Sequence, residues 1–429
     1  MEEIKRVLVS DPLSKKGLEI LEKAKNLRVD VKPGLPPEEL KKIISEYDGI
    51  IIRSETKLKG DLIEAGERLK VIGRAGIGLD NVDLPAATKK GIVVMNTPQE
   101  NAIAAAEHTI AMILSISRKI PQATASMKTG KWEKKKFMGV ELYNKTLGLI
   151  GIGVIGTVVA DRARGLKMKV IGYDPYLSKE TAEKKGVDLV SLDELLSRSD
   201  FISVHTPLTD ETRNLIDKKA FSKMKNGVIL INCARGGIIN EKDLYDAIRG
   251  EKVAAAALDV FEKEPPTGNP LLELEEVIST PHLGASTGEA QENVAIAIAN
   301  QIVDYLTLGE ARNAVNMPAV SPDILPFLRP YLRLGEKLGS FLSQISNYAI
   351  EELLIEYHGE VLEYGTRPIT ISVLKGLLTP FVGETVNFVN APVMAKERGI
   401  RITESVSDKA EDFASLIALT ARSRMEQNY

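Results

Sequence analysis

At 429 residues, with 44% apolar and 27% charged side chains, the chain has a soluble globular composition and is too long for a single core. At about 150 residues per domain, two or three domains are expected. The formal net charge of −3 gives no global electrostatic case for nucleic acid or a membrane surface as partner. Cys233 is the single cysteine, which excludes an intramolecular disulfide and fits a reducing, cytoplasmic setting. The start, Met1-Glu2-Glu3, lacks the basic and apolar segments of a secretory leader, and no apolar run reaches membrane-spanning length.

In chain order, short apolar runs at Arg6–Ser10, Val29–Val31, Gly49–Ile52, Lys70–Gly73 and Ile92–Val94 read as strands, with helical stretches at Ser14–Lys25, Pro37–Tyr47 and Leu84–Lys90 between them. Strands alternating with helices imply a mostly parallel sheet covered on both faces. A longer helical region, Ile103–Thr129, precedes a second α/β unit from Thr146 to about Pro281. Its predicted strands are Thr146–Ile150, Lys169–Tyr173, Asp188–Val190, Phe201–His205, Val228–Asn232, Ala254–Val260 and Val277–Ser279. Ser191 with Glu194 reads as a capping box. The helical pattern Thr287–Leu308 leads away and is expected to return to the first domain, making that domain discontinuous. Pro318, Pro322, Pro326 and Pro330 suggest a boundary near residue 315. Beyond it, a helix is expected at Tyr331–Ser346 and strands at Glu352–Tyr357 and Pro368–Val373.

Gly151-Ile152-Gly153-Val154-Ile155-Gly156 is a G-x-G-x-x-G in the right context: a strand precedes it, a helix follows, and Asp174 ends the next strand 18 residues after Gly156. Gly151 permits a tight turn, Gly153 a close backbone approach to a pyrophosphate, and Gly156 close packing of helix on strand. The helix start offers N–H groups and positive potential to phosphates. Asp174 can accept hydrogen bonds from both ribose hydroxyls and would repel a 2′-phosphate, so the expected cofactor is NAD rather than NADP. No metal is expected.

The chain has four histidines. His108 sits in an apolar helical stretch, His205 at a strand end and His358 in the last segment, while His282 follows a strand in Pro281-His282-Leu283-Gly284-Ala285-Ser286-Thr287. Arg235 and Glu264 hold equivalent places after the two preceding strands, and active sites of such sheets lie beyond the carboxyl ends of strands. A neutral histidine can take the proton of a C–OH as hydride leaves the carbon. A carboxylate beside it would orient the ring, and a guanidinium can grip a substrate carboxylate in a two-point fork. Spacing alone equally permits an Arg–Glu ion pair and a capping histidine.

The G-x-G-x-x-G, Asn232-Cys233-Ala234-Arg235-Gly236-Gly237, Ala257-Leu258-Asp259-Val260-Phe261 and the segment around His282 together resemble the D-isomer-specific 2-hydroxyacid dehydrogenases. Gly73-Arg74-Ala75-Gly76, Asp80-Asn81-Val82-Asp83 and Ile120–Lys128 resemble the subgroup acting on phosphorylated substrates. The likeness covers roughly residues 4–316. It implies Arg235 in substrate binding, His282 in acid–base work and Glu264 as its partner. It also implies Thr206, Cys233, Ala234, Asp259 and Gly284 near NAD, with Arg53, Arg74 and Gly76 facing the substrate. Val154 and Ile77 depart from the residues usual in the family.

The fold class implied is α/β: a Rossmann-type dinucleotide-binding domain at 99–286, a flavodoxin-like α/β substrate domain at 1–98 and 287–315, and a C-terminal α+β regulatory domain at 316–429. Leu374–Leu378 and Val386–Pro392 carry the last likeness. Long forms usually continue into a serine-binding domain, so the stretch Ala414–Tyr429 is expected to be cut short. The implied activity is NAD-dependent oxidation of 3-phospho-D-glycerate, the first step of the phosphorylated route to L-serine. Alternatives are a glyoxylate or hydroxypyruvate reductase, or a dinucleotide-sensing corepressor. The expected partners are a small-molecule substrate and further copies of the chain, as homodimer or homotetramer. The basic, aromatic stretch Lys131–Phe137 reads as a solvated face or a contact reaching toward a neighbouring subunit's substrate.

Overall fold

The computed structural model describes residues 3–318, 320, 323–346, 348–383, 385–408 and 413–423. Pro322 and the last six residues of the stretch expected to be cut short lie outside them. The described residues form two compact units, Met1–Pro98 with Val294–Tyr429, and Gln99–Asn293.

In the first unit, β1 (Lys5–Val9), β2 (Leu27–Val31), β3 (Gly49–Ile52), β4 (Val71–Arg74) and β5 (Val93–Met95) form one parallel sheet in the order β2-β1-β3-β4-β5. This is the flavodoxin-like order. Strands buried on both faces need apolar residues throughout, and every residue of β3 is buried. Leu40, Ile44, Leu62 and Ile63 cover one face. Leu21 together with Ile298, Ala299 and Ile302 of the helix Gly288–Leu308 covers the other, so the chain does return to this sheet. Gly17 permits that contact: a Cβ there would stand 2.8 Å from the Ala295 carbonyl oxygen.

The second unit holds β6 (Thr146–Ile150), β7 (Lys169–Tyr173), β8 (Asp188–Leu189), β9 (Phe201–Val204), β10 (Val228–Asn232), β11 (Val253–Leu258) and β12 (Val277–Ser279). They run parallel in the order β12-β11-β10-β9-β6-β7-β8. This is the doubly wound order of dinucleotide-binding sheets, reversing direction between β6 and β9, where ligands bind. Ser191 caps its helix by accepting from the Glu194 N–H. The helical region expected over Ile103–Thr129 is two helices, Ala102–Ser117 and Ile120–Lys128; Lys119 at φ 51° and Pro121 break it.

The last segment packs as part of the first unit. Its sheet centres on β13 (Glu352–Gly359), flanked by β14 (Arg401–Ser407) in parallel and β15 (Ser415–Arg422) antiparallel. The structure departs from two expectations. Pro326 and Pro330 do not punctuate a linker but lie within the helix Leu325–Ile345, Pro326 in its first turn, where no N–H is needed. Pro368–Val373 is not a strand but the first half of the helix Arg367–Val382. The two helices touch through glycine: a Cβ on Gly339 would stand 2.0 Å from the Val373 carbonyl oxygen. The segment is fastened to the first sheet by the turn before the helix Ala391–Glu397. Val389 is buried in the same core as Val93 and Ile302, the Asn387 amide donates to the Gly91 carbonyl at 2.8 Å, and Lys89 pairs with Glu397 at 2.9 Å.

Candidate active site

The glycine loop follows β6. Gly151 holds φ 93°, and a Cβ there would meet the His205 carbonyl oxygen at 2.7 Å. A Cβ on Gly156 would meet the Gly151 carbonyl oxygen at 2.2 Å, so this glycine seats the helix Val154–Gly165 on the strand. A Cβ on Gly153 would meet nothing within 4 Å; that side of the loop is open for a ligand. Val154 is exposed beside it, while Ile155 packs against the core. Asp174, just past β7, accepts the Ile152 N–H at 2.9 Å and the Tyr176 N–H at 3.0 Å. These bonds aim the carboxylate at the loop, and each oxygen keeps a second lone-pair direction for a ribose hydroxyl. Thr206, after β9, carries a buried hydroxyl oxygen with no hydrogen-bond partner among the described residues. An open glycine turn, an aimed acid and an orphaned buried hydroxyl together fit a dinucleotide.

The loop after β10 is held by Asn232. Its side-chain oxygen accepts the Ala234 N–H at 3.0 Å, and its amide donates to the Arg235 carbonyl at 2.8 Å. Arg235 is partly buried and donates to the Ala234 carbonyl at 2.6 Å. Gly236 lets this loop lie on the next one: a Cβ would stand 1.9 Å from the Phe261 carbonyl oxygen. Burial, with Asp259 nearby, pushes the Cys233 thiol up to about 12, so it is a packing group rather than a nucleophile.

His282 Nδ1 lies 2.8 Å from Glu264 Oε2. Glu264 Oε1 accepts the Phe261 N–H at 3.2 Å. Burial works to raise the Glu264 carboxyl, but the bonds and charge of His282 and the Phe261 amide outweigh it and hold the group below its ordinary value. Both side chains remain accessible, 49% for His282 and 39% for Glu264. His282 sits at φ 56°, a left-handed conformation imposed from below. Asp259, 1% exposed, imposes it. Its oxygens accept the Leu283 N–H at 2.7 Å and the Gly284 N–H at 2.8 Å, together with the Thr280 hydroxyl, and its carbonyl accepts the His282 N–H. His108 completes the cluster, with Nε2 at 3.3 Å from Asp259 and 3.1 Å from the Thr280 hydroxyl. Desolvation opposes the Asp259 charge, yet these bonds hold its carboxyl low. Sequence reasoning did not foresee the parts played by His108, Thr280 and Asn232. A histidine within the apolar run Ala104-Ala105-Ala106-Glu107-His108-Thr109-Ile110 was the available signal.

The remaining predicted residues belong to the first unit, at the carboxyl ends of its strands. Arg53 follows β3, its N–H bonded to the buried Asp11 and its carbonyl accepting from Asn81. Arg74 ends β4, with Nη1 donating to the Ala75 carbonyl at 3.3 Å. Gly76, at φ 141°, makes room for it: a Cβ there would fall 1.5 Å from Arg74 Nη1.

Comparisons with known proteins identify the family. The family model described as D-isomer specific 2-hydroxyacid dehydrogenase, NAD binding domain, matches residues 110–284. The D-3-phosphoglycerate dehydrogenase intervening domain matches residues 327–428. The chain is 48% identical to the D-3-phosphoglycerate dehydrogenase of Archaeoglobus fulgidus, over 99% of this chain and 80% of that one. It is 44% identical to that of Homo sapiens, over 95% and 76%. Among solved structures, a Thermus thermophilus protein aligns with TM-score 0.67 and 35% identity, over 72% of this chain and 99% of that one. A glyoxylate reductase from Paecilomyes thermophila aligns with TM-score 0.68 and 31% identity, over 73% and 99%. The chain belongs to the D-3-phosphoglycerate dehydrogenase family, within the D-isomer-specific 2-hydroxyacid dehydrogenases.

Proposed function

We propose that the chain oxidises 3-phospho-D-glycerate at C2 to 3-phosphooxypyruvate, opening the phosphorylated route to L-serine. The observation that carries the reaction is the His282 Nδ1–Glu264 Oε2 contact at 2.8 Å, at the carboxyl end of a dinucleotide-type sheet. The substrate follows from the name its relatives carry over nearly the whole chain. NAD, when bound, would supply the acceptor for the C2 hydride. Gly151, Gly153, Val154, Ile155, Gly156 and Asp174 would hold its pyrophosphate and adenosine end, and Thr206, Cys233, Ala234, Asp259 and Gly284 its nicotinamide end.

His282 is the base. Glu264 accepts the Nδ1 hydrogen and so leaves the Nε2 lone pair to take the C2 hydroxyl proton, and the pair then stabilises the imidazolium. Arg235 grips the substrate carboxylate through a planar fork and draws charge toward the developing carbonyl. Asp259 acts through the loop, holding His282 in its left-handed conformation. Arg53, Arg74, Gly76 and Lys135 serve the substrate, the cations meeting the phosphate. We further propose a cytoplasmic homodimer or homotetramer; no helix among the described residues is long and apolar enough to cross a membrane.

NAD reduction across a panel of D-2-hydroxy acids tests the reading. 3-Phospho-D-glycerate should be preferred over D-glycerate, glycolate and D-lactate by kcat/KM. Arg74→Ala should cost the phosphorylated substrate roughly tenfold or more, as expected for a lost charge-assisted bond, and the unphosphorylated acids little. Equal kcat/KM across the panel in the parent chain would remove the phosphate from the proposal.

A further inference from the structure

At the amino ends of the first unit's strands lies a cavity of about 250 Å³ that plays no part in the reaction above. Its walls come from three parts of the chain: Lys5, Lys70 and Val93 from the sheet; Tyr305, Leu306 and Met317 from the returning helix and the segment after it; and Asn387–Val389 from the C-terminal turn. Two features define what would fit. The first is charge. Lys5 pairs with Glu3 at 2.5 Å, Lys70 with Asp48 at 3.3 Å, and Arg68 bridges Glu3 at 3.2 Å and Asp48 at 3.4 Å. Among the described residues, three cations thus share two carboxylates, leaving one positive charge over, and two of those cations line the cavity. The second is the apolar remainder. Leu306, Met317, Val389 and the Phe388 ring, whose face is backed by Lys375 Nζ at 4.9 Å, offer a surface that water wets poorly.

We propose that this cavity binds a small organic monoanion: a carboxylate between Lys5 and Lys70, with an aliphatic or aromatic body of about ten non-hydrogen atoms against Phe388, Leu306 and Met317. A doubly charged phosphate would exceed the single surplus charge and leave the apolar wall unused. A neutral body would leave the surplus positive charge unanswered. Because the walls are shared, the ligand binds only when the C-terminal turn is docked on the sheet, and it therefore stabilises that docking. The proposal concerns binding alone and does not depend on which substrate the enzyme turns over.

The test is calorimetric titration of the full chain with benzoate, phenylacetate and isovalerate, beside benzyl alcohol and inorganic phosphate. The three apolar monoanions should bind saturably, and benzyl alcohol and phosphate at least roughly tenfold more weakly. Lys70→Gln should weaken the monoanions roughly tenfold, the loss expected of one charged hydrogen bond. Met317→Trp, which fills the cavity, should abolish binding while NAD titrates as in the parent. The Lys70 side chain is half-exposed and its replacement removes no core volume, so Lys70→Gln decides the matter if Met317→Trp fails to fold. The proposal is overturned if no monoanion binds saturably, if phosphate binds as well as they do, or if Lys70→Gln binds them like the parent.

Discussion

The proposed acid–base pair depends on one short contact between accessible groups, so substitutions there should separate chemistry from binding. His282→Ala should lower kcat by roughly 10²–10⁴-fold, the usual yield of general acid–base catalysis, with NAD affinity little changed in a fluorescence titration. Glu264→Gln should retain more activity and move the pH profile of the oxidation to lower pH. The imidazolium loses the charge that stabilises it, and the neutral base is then present in more acid solution. A profile that stays in place would remove Glu264 from its role as partner. A second titration belongs to the fold. Desolvation pushes the His205 imidazole down to about 4 from an ordinary 6.5. Between those values the unfolded chain binds a proton that the folded chain refuses, so stability should fall as pH drops from 6.5 toward 4. His205→Asn should flatten that part of a thermal-melt pH series; an unchanged slope would place its origin elsewhere. Arg235, Glu264 and His282 were legible as candidates because each stands just past a predicted strand, where parallel sheets place ligands. The cluster of His108, Asp259 and Thr280 was not, because it joins a helix to a loop 172 positions away through space alone.

Among the elements, the helix pair of the C-terminal segment is the most demanding. Gly339→Ala would drive a methyl into the Val373 carbonyl and the Leu377 N–H, at 2.0 and 2.8 Å. Both are backbone and cannot rotate away, so the change should cost roughly 1–3 kcal/mol, seen as a lower thermal midpoint, whereas Gly383→Ala should be limited to backbone strain at φ 81°. The same packing explains why Pro368–Val373 reads as a strand in the sequence. Ile369-Thr370-Ile371-Ser372-Val373 alternates β-branched and polar residues, a strand's period. All five are buried, and a helix enclosed on every side shows no amphipathic stripe by which to recognise it. Its polar members are satisfied locally instead: Thr370 meets the Tyr357 hydroxyl at 2.6 Å and Glu404 at 2.8 Å, and Ser372 donates to the Pro368 carbonyl. The parallel α/β elements were legible because loops, glycines and apolar runs recur there at regular intervals. β14 is largely exposed and β15 mostly only half-buried, and both gave little contrast.

At the scale of the molecule, the glycine loop and the acid–base pair lie wholly within Gln99–Asn293. A chain ending after Met317 keeps the returning helix and the Asn316 side chain, which accepts the Val94 N–H at 2.9 Å and donates to the Ile92 carbonyl at 2.8 Å. It should bind NAD and turn over substrate. It should also melt at lower temperature, because Val389 no longer covers Val93 and the Asn387–Gly91 bond is gone. Loss of turnover with NAD binding intact would assign the C-terminal segment a part in catalysis.

The return of the chain to its first sheet also sets a timetable. Val7, Val71 and Val93 share a core with Val294, Ile298, Ala299 and Ile302. As the protein leaves the ribosome, the sheet made first stands with one apolar face covered only in part, by Leu21, from Val93 until Val294, an interval of 201 residues (294 − 93). At ~5–20 residues per second this lasts roughly 10–40 seconds. The second unit draws its cores from one continuous stretch and can close within that interval. The part synthesised first is therefore the part completed later, and its waiting face is where a nascent chain of this family would be held by a chaperone or lost to aggregation.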